Sequence, residues 1–129
     1  VGDEELVLLT GDLAFYHDMN GLLAIDRCDV QVTVVLINND GGGIFHMLPI
    51  SEFDPPFTEQ FRTPHGLEFS PTGSLYDLTY SKTSVSDLAE SAREAFEADG
   101  STILEVPTDA EANHRDRTAL TERVIEELP

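Results

Sequence analysis

Short apolar runs alternate along the chain with stretches of helical periodicity. Residues 5–10 form an apolar run that ends at Gly11-Asp12, and this pattern predicts a buried strand. Residues 30–38 are rich in β-branched side chains and almost continuously apolar, which is typical of a strand buried on both faces. Residues 102–106, followed by Pro107, predict a third strand.

Stretches with helical spacing of apolar residues lie between and after the predicted strands, and residues 44–69 after the second strand are irregular. The first predicted helix runs from Asp12 to about residues 26–28, and Phe15, Met19, Leu22 and Leu23 lie on its apolar face. Two longer helices are expected over residues 84–98 and about 113–128. Ser84 and Asp87 form a capping-box-like pair at the start of the first of these. Ser70-Pro71 indicates the start of another helix.

The order of these elements predicts an α/β fold with a parallel sheet and helices on both faces, in a single domain covering residues 1–129. In such sheets ligands bind at the carboxyl ends of the strands. The first two predicted strands end in Gly11-Asp12 and in the run from Asn38 to Gly41. These two strand ends are therefore the candidate functional site.

The strongly acidic charge of the chain argues against nucleic acid and anionic lipid as partners. Seven basic residues stand against 25 acidic ones, so the net charge is −18, and Lys82 is the only lysine. Such a surface repels nucleic acid and anionic lipid, because binding to phosphates requires basic side chains. Excess acidic charge is a feature of proteins adapted to high salt, where repulsion is screened. We expect a halophilic protein; an acidic protein without salt adaptation is the alternative.

The remaining composition points to the cytoplasm. Cys28 is the only cysteine, so no internal disulfide can form. The apolar run over residues 32–37 is too short to cross a bilayer. Asp3, Glu4 and Glu5 occupy positions where a signal peptide carries basic residues, so we expect no secretory leader and a cytoplasmic location.

The chemistry at the two strand ends suits a phosphate and a divalent cation. A helix that begins directly after Gly11 presents unpaired N–H groups to an anion. The Asp12 carboxylate, the Asn39 amide oxygen and the Gly41 carbonyl are hard oxygen ligands, which Mg²⁺ prefers. Each motif taken alone is also a common turn, so a purely structural role is the alternative.

The pair Gly11-Asp12, separated by 25 residues from Asn38-Asn39, resembles the signature of thiamine diphosphate (ThDP) enzymes. The resemblance implies two cofactors, ThDP and Mg²⁺, with Asp12, Asn39 and Gly41 as metal ligands. It also implies that ThDP contacts the following set: Gly11, Asp12, Leu13, Ala14, Asn39, Gly41, Gly42, Gly43 and Ile44. Leu13 departs from the pattern, since most members of the family have glycine there.

Three segments resemble one branch of this family more closely: GDLAFYHDMNGLLAI, NNDGGGIFHMLP and FRTPHGLEF, at residues 11–25, 38–49 and 61–69. That branch contains transferases of menaquinone biosynthesis, which decarboxylate 2-oxoglutarate and add the resulting carbanion to isochorismate. The resemblance implies that Ile44 supports the cofactor beneath its rings and that Phe45 and Leu48 line the substrate pocket. For Ile44 and Leu48, plain core packing is the alternative.

The same resemblance implies that this chain contains no catalytic residue of its own. In the family, a glutamate on a separate pyrimidine-binding domain, usually from a partner subunit, activates ThDP. We therefore expect a diphosphate-binding domain that is incomplete at its N-terminus, inactive alone, and part of a longer homodimeric or homotetrameric enzyme. The alternatives are another ThDP enzyme, of the acetolactate synthase or 2-oxo acid decarboxylase type, and a non-catalytic phosphate- or metal-binding module.

Overall fold

A computed structural model describes residues 6–128 and divides them into two compact units. The sheet unit comprises residues 6–38 and 67–107, and the loop unit comprises residues 39–66 and 108–128.

The sheet unit is built on four strands in the spatial order β1-β2-β4-β3, and every neighbouring pair is parallel. The strands are β1 (Leu6–Gly11), β2 (Val32–Asn38), β3 (Thr79–Lys82) and β4 (Thr102–Pro107). Because all four strands run in the same direction, their carboxyl ends lie at one edge of the sheet. The predicted parallel α/β architecture is confirmed.

Four helices belong to the sheet unit: α1 (Asp12–Asp18), α2 (Leu23–Arg27), α3 (Pro71–Tyr76) and α4 (Leu88–Glu97). The first predicted helix is confirmed, but a 3₁₀ turn over Met19–Leu22 divides it into α1 and α2. This turn contains Asn20-Gly21, and both residue types have low helix propensity. Helix α4 begins four residues later than predicted, because Ser84 and Asp87 close a separate turn in which the Asp87 N–H donates to Ser84 Oγ (3.2 Å).

The core lies on both sides of the central strands. On one side, a cluster joins side chains from β2, β4 and the surrounding helices and loops: Phe15, Leu22, Val32, Val34, Leu36, Phe69 and Ile103. The Phe15 and Phe69 rings pack edge to face, with their centroids 5.4 Å apart. On the other side, Val35 and Leu104 are also buried. Each such side chain contributes roughly 1.5–3 kcal/mol of burial free energy.

Two features of the sheet differ from the sequence prediction. The first strand was expected to be buried, and this is wrong: Leu6, Val7, Leu8 and Leu9 are 48–69% exposed, because β1 is an edge strand. Residue 5, where the predicted strand began, lies outside the described residues. Strand β3 was not predicted, because its sequence TYSK is polar and lacks an apolar run. It forms through pairing with β4, extended by the Thr83 N–H bond to the Glu105 carbonyl (2.9 Å).

The loop unit contains short turns and one long helix, α5 (Ala110–Glu127). Its irregular segment forms 3₁₀ turns over Gly43–Met47 and Pro49–Glu52 and a π turn over Thr58–Arg62. Asp109 caps α5 by accepting the Ala112 N–H at 2.6 Å. The predicted last helix is thus confirmed and begins three residues earlier than expected. Within residues 6–128 no helix has the length and hydrophobicity needed to span a membrane.

Candidate functional site

The end of β1 leads directly into α1, as the Gly11-Asp12 pair predicts. Gly11 is the N-cap residue, and Asp12 is the first residue of α1. The Asp12 side chain is only 3% exposed, and its Oδ1 accepts the Leu13 N–H at 2.7 Å. The carboxylate therefore has a fixed position relative to the helix that follows it. Leu13 is half-buried and Ala14 is exposed.

The end of β2 carries a polar network that sequence reasoning missed. The Asn38 side chain donates from Nδ2 to Glu105 Oε1 at 3.0 Å. Glu105 is only 2% exposed and lies near the carboxyl end of β4, an interior strand of the sheet. Its Oε2 accepts a hydrogen bond from Tyr80 Oη, and Lys82 Nζ lies 3.4 Å from its Oε1. The available signal was a single glutamate inside the apolar run TILEV.

The charges of this network alter the ionisation of Tyr80 and Lys82. Burial is the main cause that raises the pKa of the Tyr80 hydroxyl above its usual range, and the hydrogen bond and the charge of Glu105 raise it further. The hydrogen bond from Lys82 Nζ to Glu68 Oε2, 3.2 Å long, is the main cause that raises the pKa of the lysine. Tyr80 is therefore neutral and Lys82 is charged near neutral pH.

In the loop unit, hydrogen bonds to Asp40 stabilise the segment that follows β2. Asp40 has a positive φ of 61°, and its Oδ1 accepts the N–H groups of His65 (3.1 Å) and Gly66 (2.7 Å). Gly42 donates its N–H to the Arg62 carbonyl at 2.7 Å. These bonds hold the run from Asp40 to Gly42 against residues 62–66, which are distant in sequence.

All three consecutive glycines are required by close contacts, and at Gly42 an added Cβ would overlap the Phe61 carbonyl oxygen. Gly41 has φ +122°, and a Cβ there would overlap the Arg62 carbonyl oxygen and lie 2.9 Å from that of Thr63. A Cβ at Gly43 would lie 2.6 Å from Asn39 Nδ2 and 3.1 Å from Asn39 Cγ. The glycine at position 43 thus leaves room for the Asn39 side chain. The Gly41 carbonyl accepts the Gly43 N–H at 2.9 Å.

A cavity of about 240 Å³ lies beside this loop within the loop unit. It is lined by residues of the loop and of α5: Asn39, Gly43, Ile44, Met47, Ala110, Asn113, His114 and Arg117. Arg117 donates from Nη1 to Met47 Sδ at 2.7 Å. The α5 residues of this lining were not predicted, because helical periodicity alone does not show what a polar helix face contacts.

The predicted pocket residues of the loop are accessible. Ile44 is 67% exposed, Leu48 is 41% exposed and Phe45 is 37% exposed. Neither Ile44 nor Leu48 is therefore packed in the core of the described chain. The Phe45 ring packs edge to face on Phe61, with centroids 6.0 Å apart. Of the candidate set, the structure brings Asn39, Gly43 and Ile44 together around one cavity.

The donor types of the three predicted metal ligands fit Mg²⁺. Asp12 has a carboxylate, Asn39 has an amide oxygen and Gly41 has a backbone carbonyl. All three are hard oxygen donors. In the part of the chain that the structure describes, no three His, Cys, Asp or Glu side chains converge as a metal cluster.

Comparison with known proteins decides the family. The profile described as "Thiamine pyrophosphate enzyme, C-terminal TPP binding domain" matches residues 1–106, a span that contains every predicted ligand; thiamine pyrophosphate is another name for ThDP. The chain belongs to this family. The resemblance stated from the Gly-Asp and Asn-Asn pairs is thereby confirmed, and the chain is a ThDP-binding domain.

Curated relatives are 50–56% identical to this domain over more than nine-tenths of the chain. It is 55% identical over 128 residues to 2-succinyl-5-enolpyruvyl-6-hydroxy-3-cyclohexene-1-carboxylate (SEPHCHC) synthase of Haloquadratum walsbyi, covering 97% of the chain and 21% of the relative. The enzymes of the same name from Haloarcula marismortui and a Roseiflexus species are 56% and 50% identical, over 97% and 92% of the chain and 21% and 20% of theirs. The chain thus spans about a fifth of the length of these relatives.

Solved structures support the fold. Benzoylformate decarboxylase from Polynucleobacter necessarius superposes with a TM-score of 0.69 at 23% identity, over 84% of this chain and 20% of that one. A ThDP-dependent 4-hydroxybenzoylformate decarboxylase from Rhodococcus jostii gives a TM-score of 0.62 at 22% identity, over 83% and 20%. At this level of identity the likeness establishes a shared fold and not a shared substrate.

Proposed function

We propose that residues 1–129 form the ThDP- and Mg²⁺-binding domain of a SEPHCHC synthase. The observation that carries the proposal is the identity of 54–56% with five haloarchaeal relatives of that name over 91–98% of this chain. The enzyme would decarboxylate 2-oxoglutarate and join the remaining carbons to isochorismate, in menaquinone biosynthesis. The resemblance of residues 38–49 and 61–69 to that branch agrees with this assignment.

In this proposal, Asp12, Asn39 and Gly41 would hold Mg²⁺, which would supply positive charge to neutralise the diphosphate of ThDP. One carboxylate leaves a net positive charge on the ion, which suits a site completed by phosphate oxygens. The close fit of Gly43 against Asn39 supports the assignment, because it restricts where the amide oxygen can point. We assign the backbone from Gly11 to Ala14 to the diphosphate and Gly42 and Gly43 to the cofactor's other contacts.

The exposed apolar residues of the loop are proposed to contact the reacting groups. Ile44 would support the cofactor from below, and Phe45 and Leu48 would line the apolar side of the substrate pocket. Their exposure of 37–67% supports this role, because such side chains lie on the surface of the described chain. When bound, ThDP supplies the electron sink for decarboxylation. The residues of this domain bind and orient the cofactor, exclude water and perform no proton transfer.

We propose a cytoplasmic, salt-adapted enzyme that works as a homodimer or homotetramer. The net charge of −18 supports salt adaptation, and so does the similarity to enzymes from Haloquadratum and Haloarcula. The activating glutamate would come from a pyrimidine-binding domain of the same or a partner subunit. Neither nucleic acid nor a membrane surface is proposed as a partner, because both carry the same sign of charge as this chain.

The test is a donor comparison with the natural full-length protein in molar NaCl, ThDP and Mg²⁺. Release of CO₂ is measured with 2-oxoglutarate, pyruvate or benzoylformate as the donor, each with and without isochorismate. We expect rapid turnover only with 2-oxoglutarate, increased by isochorismate. Preference for pyruvate would favour the acetolactate synthase type, and preference for benzoylformate would favour the decarboxylase type. Binding of ThDP without turnover of any donor would favour a non-catalytic module.

A further inference from the structure

Glu105 is a buried carboxylate that the proposed cofactor site does not use directly. It lies in β4, between β2 and β3, and only 2% of its surface is exposed. An ionised group in the interior of a sheet is costly unless it is paired and hydrogen-bonded, and an apolar residue of similar size is often at least as stable there. A role other than stability is therefore expected for this glutamate.

Both oxygens of the Glu105 carboxylate have partners. Oε1 accepts a hydrogen bond from Asn38 Nδ2 at 3.0 Å and lies 3.4 Å from Lys82 Nζ. Oε2 accepts a hydrogen bond from Tyr80 Oη. Lys82, the only lysine of the chain, also binds Glu68 at the surface. The network thus runs from the exposed end of β3, through the buried carboxylate, to the last residue of β2.

The strand register explains why Glu105 reaches Asn38. Leu36 pairs with Glu105, and Asn38 pairs with Pro107, so Asn38 is the diagonal neighbour of Glu105. Side chains two residues apart on a strand lie on the same face. Asn38 therefore follows Val34 and Leu36 on the face that carries the apolar cluster, and Glu105 follows Ile103 on that face. The polar network begins where this cluster ends, at the carboxyl edge of the sheet.

We propose that Glu105 is a positioning residue for the metal site. Its carboxylate fixes the Asn38 side chain and thereby the direction in which the chain leaves β2 into Asn39. This inference rests on the proposed function, because Asn39 is one of the proposed Mg²⁺ ligands. Mg²⁺ requires near-octahedral geometry, so a small change in the path of the chain at Asn39 weakens binding. Groups that orient a ligand typically contribute 10- to 100-fold to metal affinity.

Two variants of this network distinguish a positioning role of Glu105 from a purely structural one. Glu105→Leu removes the acceptor for Asn38 and keeps a similar volume. Tyr80→Phe removes the other hydrogen bond of Glu105 and leaves the bond to Asn38 in place. If Glu105 only stabilises the sheet, both variants lower the melting temperature and cofactor affinity follows stability. If Glu105 positions Asn38, only Glu105→Leu weakens cofactor binding.

The experiment is calorimetric titration of ThDP into the natural full-length protein, with Mg²⁺ in molar NaCl, alongside melting curves. For Glu105→Leu and for Asn38→Ala we expect affinity to fall roughly 10- to 100-fold. The double variant should be no weaker than the weaker single one, because both changes remove the same hydrogen bond. Glu105→Gln keeps an acceptor oxygen, so we expect an affinity within about threefold of the unsubstituted protein, and Tyr80→Phe should show no change.

Unchanged affinity in Asn38→Ala would overturn the inference, and this variant tests it even if Glu105→Leu fails to fold. Losses that multiply in the double variant would also overturn it, since they would show two independent effects. Failure of the unsubstituted protein to bind ThDP with Mg²⁺ would overturn the proposed function and this inference together. Normal binding by that protein with normal binding by Asn38→Ala would overturn this inference alone.

Discussion

Replacing Gly43 with alanine tests whether the glycine run shapes the metal site. The added Cβ would lie 2.6 Å from Asn39 Nδ2 and 3.0 Å from Ala110 Cβ. Non-bonded heavy atoms pack favourably at about 3.5–4.0 Å, so the Asn39 amide would have to move by roughly 1 Å. The neighbouring Ala110 prevents the new methyl group from turning away. The main effect of Gly43→Ala is therefore a displacement of the Asn39 side chain.

The expected losses of ThDP affinity and of stability have separate causes. A misplacement of about 1 Å can lower the rate of a catalysed reaction on the order of 100-fold, and loss of a group that orients a metal ligand typically lowers metal affinity by roughly 10- to 100-fold. Overpacking lowers the free energy of unfolding by about 1–3 kcal/mol. Alanine also lowers the backbone entropy of the unfolded chain, which raises the free energy of unfolding by about 0.4–1 kcal/mol. We therefore expect ThDP affinity with Mg²⁺ to fall roughly 100-fold while the melting temperature falls by only a few degrees.

The matched control is Gly21→Ala, another glycine-to-alanine change in a 3₁₀ turn. A Cβ at Gly21 meets no atom within 4 Å, so this variant should bind ThDP normally and be as stable as the unsubstituted protein or slightly more stable. Both variants are compared by calorimetric titration in molar NaCl and by melting curves. Affinity of Gly43→Ala within about twofold of the control would refute the reasoning, because Asn39 would then tolerate displacement.

Three further predictions concern the ligand, the salt response and the pH response. Asp12→Ala should weaken Mg²⁺-dependent ThDP binding by roughly 100-fold in a titration, and unchanged affinity would exclude Asp12 as a ligand. The melting temperature should rise from dilute to molar NaCl, because the net charge of −18 is then screened; a temperature independent of salt would contradict salt adaptation. Burial and Glu105 raise the pKa of Tyr80 above its unfolded value of about 10, so the folded state loses stability as pH rises beyond that value. Tyr80→Phe should reduce this alkaline loss in pH-dependent unfolding curves, and an unchanged loss would contradict the assignment.

The parts of the fold that were predictable carry their signal locally. Strand β2 is an almost continuous apolar run, and β4 is an apolar run interrupted by one glutamate. The last helix was indicated by Leu120, Val124 and Leu128, which are spaced four residues apart. Strand β3 has no such signal, because its four residues become a strand only by pairing with β4. The exposure of β1 was also not predictable, because the same apolar sequence pattern can occur in an edge strand and in a central strand.

The candidate site also has a part that the sequence indicated and a part that it did not. The spacing of Gly11-Asp12 and Asn38-Asn39 indicated the family without any structure. The reason for the glycines was not visible, because it lies in contacts to residues 61–63 and to Ala110, which are distant in sequence. Glu105 was missed for a related reason: its partners Asn38 and Tyr80 are 67 and 25 residues away and meet it only across the sheet.

The most direct test of the central claim is a crystal structure of the full-length protein with ThDP and Mn²⁺ in place of Mg²⁺. The anomalous signal of Mn²⁺ distinguishes the ion from water and from Mg²⁺. The account predicts one peak within bonding distance of the Asp12 carboxylate, the Asn39 amide oxygen and the Gly41 carbonyl, with diphosphate oxygens as further ligands. A peak held by other residues, or ThDP bound with no metal contact to these three, would contradict the account.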